Sequence, residues 1–255
     1  MSKSFEALEQ RSLMSASVVG NGLLLVSTTS GDDQVTIRIS PTDPQVVQYR
    51  EASDPTQNRD FQLSSIHSVS INTWQGDDQV FIGAGLPGGV ISLGSGADRF
   101  TSVGNASEVI YAGADGFHDT GVDKSDLVFA GGGNDIIYGG DGNDALYGGA
   151  GNDRIYGEAG RDSLFGEANN DVLYGGKDND QLDGGANNDV LYGGANDDVL
   201  TGGAGTDRMY GEAGNDTIFA RDGNGGEIVD GGTGSDRAQI DLFADQVISI
   251  EQLLL

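Results

Sequence analysis

Between residues 130 and 219 the chain repeats itself every nine residues, ten times in succession, and so short and strict a period leaves few folds open to it. Position 6 of every block is an aspartate: Asp135, Asp144, Asp153, Asp162, Asp171, Asp180, Asp189, Asp198, Asp207 and Asp216. Position 8 is always aliphatic or methionine, running Ile137, Leu146, Ile155, Leu164, Leu173, Leu182, Leu191, Leu200, Met209 and Ile218. Position 1 is glycine in every block except the one that starts at Ala130. Position 4 is Gly133, Gly142, Gly151, Gly160, Gly205 or Gly214, and otherwise Asn169, Asp178, Asn187 or Asn196. Asn and Asp are the residues that best tolerate the left-handed backbone region, so these substitutions keep the same conformational demand. Each block therefore reads as a glycine-rich turn and a three-residue strand with one inward apolar side chain. A single block cannot bury that side chain, whereas stacked blocks bury the whole column. The expected fold is all-β: a flattened β-solenoid of two parallel sheets, with alternate blocks on opposite sheets.

Stacking imposes an electrostatic condition. Strands about 4.8 Å apart set aspartates 18 residues apart one above another. Like charges that close repel by about several kcal/mol where solvent is partly excluded. A divalent cation between turns removes the conflict, and calcium suits best because it takes about six to eight hard oxygen ligands, carbonyls included. Cysteine is absent and the histidines are only His67 and His118, which argues against soft-metal sites. The alternative is that the aspartates make Asx-turn hydrogen bonds to backbone N–H groups without metal.

One block, Gly148-Gly149-Ala150-Gly151-Asn152-Asp153-Arg154-Ile155-Tyr156, matches the pattern G-G-x-G-x-D-x-U-x, and through it the chain resembles the RTX, or hemolysin-type, calcium-binding repeat family. The resemblance implies a right-handed parallel β-roll in which carboxylates at position 6 and turn carbonyls of adjacent turns on one edge share each ion. Carried onto this sequence, the carboxylate ligands are Asp126, Asp135, Asp144, Asp153, Asp162, Asp171, Asp180, Asp189, Asp198, Asp207, Asp216 and Asp236. The carbonyl ligands are those of Gly131, Gly133, Gly140, Gly142, Gly149, Gly151, Gly203 and Gly205. Glu158, Glu167 and Glu212 replace glycine at position 2 but keep a carbonyl there. One ion for each pair of blocks 18 residues apart gives roughly eight calcium ions.

The pattern fades at both ends. Asp126 and Val128 keep the register upstream, and Gly94–Phe100 and Val109–Gly116 are weaker copies. Downstream, Asp222–Asp230 is a block with Glu227 at position 6, set off by the insertion Ala220-Arg221, and Asp236 follows in the next. The domain reading is a leader and β cap over 1–65, degenerate coils over 66–125, the calcium-binding β-roll over 126–240, and a C-terminal cap or export signal over 241–255. Within the cap, Leu23–Val26, Val35–Ile39 and Val46–Tyr49 read as strands, and Gly31-Asp32-Asp33-Gln34-Val35 recurs unchanged as Gly76-Asp77-Asp78-Gln79-Val80. Such β structure closes edges that a solenoid would otherwise leave open. Residues Phe5–Ser15 resemble the LEPR-XLL-type N-terminal motif of exported planctomycete proteins, with Gln10 in place of its Pro and Met14 in place of its last Leu. A short amphipathic helix or a disordered leader is the other reading of those residues.

Charge ties the repeat to calcium. The formal net charge is −27, and residues 121–239 alone hold 23 acidic and 7 basic side chains, a balance of −16 that about eight calcium ions would cancel. Without ions, glycine entropy and repulsion should keep this half unfolded, so that binding free energy is folding free energy. A chain that stays loose at cytosolic calcium and sets at external calcium is suited to a secreted or cell-surface protein. RTX relatives often leave through a type I exporter that reads a C-terminal signal, and Val247–Leu255 is compatible with one. No run is long enough to span a membrane and no signal-peptide core follows the start. The acidic balance disfavours nucleic acid.

No catalytic constellation is visible: no H-E-x-x-H, no G-x-S-x-G, no thiol. The expectation is a non-catalytic adhesion, matrix or cell-envelope module. The alternatives are a secretion module for an enzyme with an N-terminal active site, and a calcium sensor. One face stands out. Tyr138, Tyr156, Tyr174, Tyr192 and Tyr210, each at position 9 and 18 residues apart, should form an outward ladder for self-association or for binding a carbohydrate or surface polymer. The opposite sheet carries Tyr147, Phe165, Asp183, Thr201 and Phe219, an interrupted column.

Overall fold

The computed structural model describes residues 15–20, 22–28, 31–52, 55–113, 124–220, 222–223, 225–241 and 245–254. Among them the regular elements are strands, apart from 3-10 turns at Pro55–Gln57 and Leu63–Ser65. The strands make two sheets, of 12 and 13 members, and the chain alternates between them. Ile136–Asp141, Arg154–Ala159, Val172–Lys177, Val190–Ala195 and Arg208–Ala213 are neighbours in the first sheet. Ala145–Ala150, Ser163–Ala168, Gln181–Ala186 and Val199–Ala204 are neighbours in the second. Pairing within each is parallel with an offset of 18: Ile137 lies on Ile155, Leu146 on Leu164, Leu173 on Leu191. All-β architecture, stacked coils and alternate blocks on opposite sheets thus follow the period.

The position-8 column from Ile137 to Ile218 is fully buried between the sheets, and Val128, Ile110, Phe100 and Ile91 continue it upstream. Each such side chain contributes about 1.5–3 kcal/mol on burial, so a column of them supplies most of the apolar stabilisation.

Three features differ from the sequence reading. The strands of the first nine blocks are six residues long, not three, because pairing continues through positions 1 to 3 of the next block, and only the tenth, Thr217–Phe219, keeps to three; Gly140 pairs with Glu158 and Asp141 with Ala159. Stacking also starts well before residue 66. Leu23–Ser27 pairs in parallel with Ser68–Asn72, and Gln34–Ile39 with Gln79–Ile82, so residues 23–39 form a first coil. The two copies of Gly-Asp-Asp-Gln-Val are successive rungs, with Val35 directly on Val80. What lies outside that coil is antiparallel: Ser15–Val19 covers the edge of one sheet, and Val46–Glu51 with Arg59–Gln62 the edge of the other. At the other end, Gln246–Ile248 and Gln252–Leu253 each add a further parallel strand, extending the solenoid. The LEPR-XLL-like residues 5–14, His118 and Arg221 lie outside the described residues.

Candidate metal centre

The turns fall on two edges, and the two edges carry separate carboxylate columns. Asp135, Asp153, Asp171, Asp189 and Asp207 precede strands of the 12-stranded sheet; Asp126, Asp144, Asp162, Asp180, Asp198, Asp216 and Asp236 precede strands of the other. Every one of them is at most 3% exposed. Within a column each carboxylate is tied to the coil before it: the backbone N–H of Asp135 donates to Oδ1 of Asp153 at 2.8 Å, that of Asp153 to Asp171 at 2.7 Å, and that of Asp171 to Asp189 at 2.8 Å. On the second edge the same link runs without a break from Asp33 through Asp78, Asp98, Asp126 and the repeat aspartates to Asp236 and Glu251. On the first edge it begins at Glu108.

The carboxylate column is therefore longer than the span 126–236 read from the repeat. Asp33, Asp78, Asp98, Glu108 and Glu251 belong to it, and the duplicated Gly-Asp-Asp-Gln-Val was the signal for the first two. A second column went unread. At position 5 the N–H of Asn152 donates to Oδ1 of Asn134 at 2.8 Å, that of Asn170 to Asn152 at 3.0 Å, and that of Asn188 to Asn170 at 2.9 Å. These bonds point the opposite way along the rod from those at position 6, so each pair of coils is clasped in both directions. The recurring Asn-Asp dipeptide was its trace in the sequence.

In eight of the repeat aspartates one carboxylate oxygen remains. In Asp135, Asp153, Asp162, Asp171, Asp180, Asp189, Asp198 and Asp216, Oδ2 is buried with no hydrogen-bond partner. It is aimed into the turn. Where a Cβ on Gly157 would stand, Oδ2 of Asp162 is 2.5 Å away and the carbonyl oxygen of Gly175 in the next coil is 2.6 Å away. The same two oxygens converge at Gly166 (Asp171 and Gly184) and at Gly184 (Asp189 and Gly202). Position 1 is glycine for this room, which explains why a methyl group has no place there. Positive φ is the demand at positions 2 and 4 instead, met without glycine by Glu158 (79°) and Asn187 (82°).

Buried anionic oxygens facing carbonyl oxygens are costly unless a cation or a proton compensates them. Burial, the largest cause, pushes the carboxyls of Asp135, Asp171 and Asp198 up to about 7 and those of Asp180 and Asp189 up to about 8. The N–H bond on Oδ1 pulls the other way, and neighbouring aspartates such as Asp162 and Asp198 around Asp180 add to the rise. The residues fit calcium: hard oxygens only, one anionic oxygen left over per turn, and backbone carbonyls beside it. Hydrogen bonding and metal binding, set against each other in the sequence reading, are compatible within one carboxylate, since the backbone takes Oδ1 and leaves Oδ2 as the oxygen open to a cation.

The glycine carbonyls sort less simply. Gly131, Gly133, Gly149, Gly151, Gly203 and Gly205 lie on the first edge with Asp135, and Gly140 and Gly142 on the second. The carbonyl of Gly131 already accepts the N–H of Ala150 at 2.8 Å. The carbonyls at position 1, such as those of Gly175 and Gly184, are the ones that border the same small space as Oδ2, each 2.6 Å from where a Cβ would stand, and the sequence reading had not named them. Gly175→Ala would place its Cβ 2.5 Å from the Gly193 carbonyl and 2.6 Å from Oδ2 of Asp180. We expect this substitution to raise the calcium midpoint for folding at least tenfold, as read by circular dichroism; a midpoint within twofold of wild type would contradict the convergence.

Comparison with protein families gives a match to the RTX calcium-binding nonapeptide repeat over residues 120–155, 147–182 and 183–218. Residues 120–218 are thus RTX repeats, and the protein is a calcium-binding repeat protein. Comparison with curated proteins gives no match.

Proposed function

We propose that this protein is a non-catalytic, calcium-set rod that works outside the cell as an adhesion, matrix or envelope module. The buried, partnerless Oδ2 atoms in two columns carry this reading, because they make the folded state depend on a cation that the cell exterior supplies. Roughly eight ions remain the expected number for the ten-block run. No helix among the described residues is long and apolar enough to cross a membrane. Residues 23–39 and 68–82 are coils of the same solenoid, which supports a structural over a catalytic role for the N-terminal part. His67 is exposed. Titrating calcium while following strand content tests the reading. A midpoint near millimolar fits a scaffold, a submicromolar one would make the protein a sensor, and strand content unchanged after chelator dialysis would overturn the proposal.

The working face we assign is the tyrosine ladder. Tyr111 joins the five tyrosines of the repeat, and the six rings stack with centroids 4.8–5.0 Å apart and nearly parallel planes. Beside them at position 7 run Val109, Ile136, Arg154, Val172, Val190 and Arg208 in the same register. The opposite column stacks only from Phe129 through Tyr147 to Phe165 before Asp183 interrupts it. A flat aromatic strip flanked by two arginines suits a sugar ring or a second rod. Replacing Tyr174 and Tyr192 by Ser should weaken glycan-polymer binding or self-association at least tenfold while leaving the calcium midpoint within a few-fold. Unchanged binding and oligomeric state would remove the face from the proposal.

A further inference from the structure

The outer face of the 12-stranded sheet carries a second regularity beside its tyrosines. Along each rung of the repeat three positions face outward: position 7, the position-9 tyrosine, and position 2 of the next block, with inward residues between them. Where position 7 is arginine, position 2 is glutamate: Arg154 with Glu158, and Arg208 with Glu212. Where position 7 is branched and apolar, position 2 is glycine: Ile136 with Gly140, Val172 with Gly176, and Val190 with Gly194. Positive φ accounts for those glycines, at 103–118°. It does not account for glutamate replacing glycine only on the two arginine rungs of this sheet. The opposite sheet lacks the match, since Glu167 shares its rung with Ser163.

Neither arginine rung closes its own ion pair. Four residues of extended strand set Arg154 and Glu158 about 13 Å apart, with Tyr156 between them. The ion pairs among the described residues are Arg50–Asp60 and Lys124–Asp77. A second copy supplies what is missing. A two-fold axis running along the rod, over the tyrosine column, lays one face on another and exchanges position 7 with position 2. Arg154 then stands opposite Glu158 of the second copy, and Arg208 opposite Glu212. On the rungs between, Val172 and Val190 stand opposite Gly176 and Gly194, a side chain against a hollow. Antiparallel rods centred on the same rungs would set Arg154 against Arg208 and Glu158 against Glu212, and like charges across an interface oppose association. The face is flat enough for the fit, because neighbouring rings from Tyr138 to Tyr210 stay within 12° of parallel. From Tyr111 to Tyr210 it offers roughly 500 Å² of each rod, about 1,000 Å² in all, which suits a specific and reversible contact.

We infer that the tyrosine face binds a second copy of this chain in a parallel, two-fold symmetric pair, fastened by Arg154 to Glu158 and by Arg208 to Glu212. The inference rests on the working face assigned above and selects the second rod over the sugar as its occupant. Sedimentation equilibrium of the calcium-loaded full chain tests it, with circular dichroism to check that each variant keeps its strand content. Wild type should dimerise with rising concentration. R154E/R208E sets like charges opposite each other and should raise the dissociation constant at least tenfold. Adding E158R/E212R to the same chain reverses both signs and should bring the constant back to within a few-fold of wild type. R161E/R237E adds the same charge on the second edge and the opposite sheet, and should leave the constant within a few-fold. R154E alone separates the orientations, since it weakens the parallel pair and strengthens an antiparallel one. A dimer indifferent to R154E/R208E, or no rescue in the four-site variant, would overturn the arrangement. A wild type that stays monomeric at the highest attainable concentration overturns the dimer. If that monomer binds hydroxyethylcellulose and Y174S/Y192S does not, the tyrosine face stands with a sugar polymer as its occupant; if it binds neither, the face falls as well.

Discussion

In a calcium chelator at neutral pH, backbone amides of residues 126–236 are expected to lose their exchange protection while those of residues 23–102 keep theirs. The difference lies at position 1. In the repeat it is glycine, and the space is left to Oδ2 and the next carbonyl. In the first two coils of the second edge it is threonine, and in the third the apolar Leu93: Thr28 Oγ1 donates to the carbonyl of Thr73 at 3.2 Å, and Thr73 Oγ1 to the carbonyl of Leu93 at 2.6 Å. A hydroxyl donor thus meets, in those coils, the carbonyl that in the repeat stands beside an anion. The N-terminal part also carries larger core side chains than the repeat, Tyr49 and Phe100, both fully buried. In the repeat, an ion held at about a hundred times its Kd adds about 2.7 kcal/mol. Several ions therefore outweigh the net stability of a domain, about 5–15 kcal/mol, and their removal unfolds what they hold. Hydrogen exchange followed by mass spectrometry reads the two halves separately. Equal protection of both, or loss in both, would refute the division.

The second large effect is an inverted response to acid. The buried aspartates have folded-state values raised from the ordinary 3.8 to about 6 for Asp162 and Asp216, about 7 for Asp171 and about 8 for Asp189, chiefly through burial. Raised values mean that the folded, metal-free chain binds more protons than the unfolded one between about pH 4 and 8. The stability they contribute is complete below the unfolded value and is lost as pH rises through the folded values. Metal-free protein should therefore gain strand content as pH falls from 8 towards 4. In calcium the sign reverses, because protons compete with the ion for Oδ2: the calcium midpoint should rise as pH falls through the same window. Circular dichroism with and without chelator across that range checks both arms. Metal-free protein that stays unfolded at pH 4.5 would show that the carboxylates are not the groups holding it open.

Much of the fold was legible because three columns (glycine, aspartate, aliphatic) shared one period, and each had a single physical reason. The position-4 residues Asn169, Asp178, Asn187 and Asn196 do sit in the left-handed region, with φ of 71–82°. What escaped notice was whatever lacked the period. Residues 23–39 lie 45 positions before their stacking partners, because a hairpin intervenes, so the first coil could not be seen by counting nines. Glu251 enters the carboxylate column after a gap of 15 residues instead of 18, again below the reach of a fixed count. The position-1 carbonyls were missed for another reason. Every residue has a carbonyl, and only the stacked geometry shows which ones border the same space as Oδ2.

The 18-residue coil also sets the steps in which such a rod can change length. Adding or deleting one whole coil within the ten-block run lengthens or shortens the molecule and leaves each face as it was, tyrosine on tyrosine and aspartate on aspartate. Half a coil would exchange the two sheets beyond the join, setting Tyr174 in line with the Phe165 column and breaking the aromatic strip in two. Size in this architecture is counted in whole coils, and the surface chemistry is indifferent to the count.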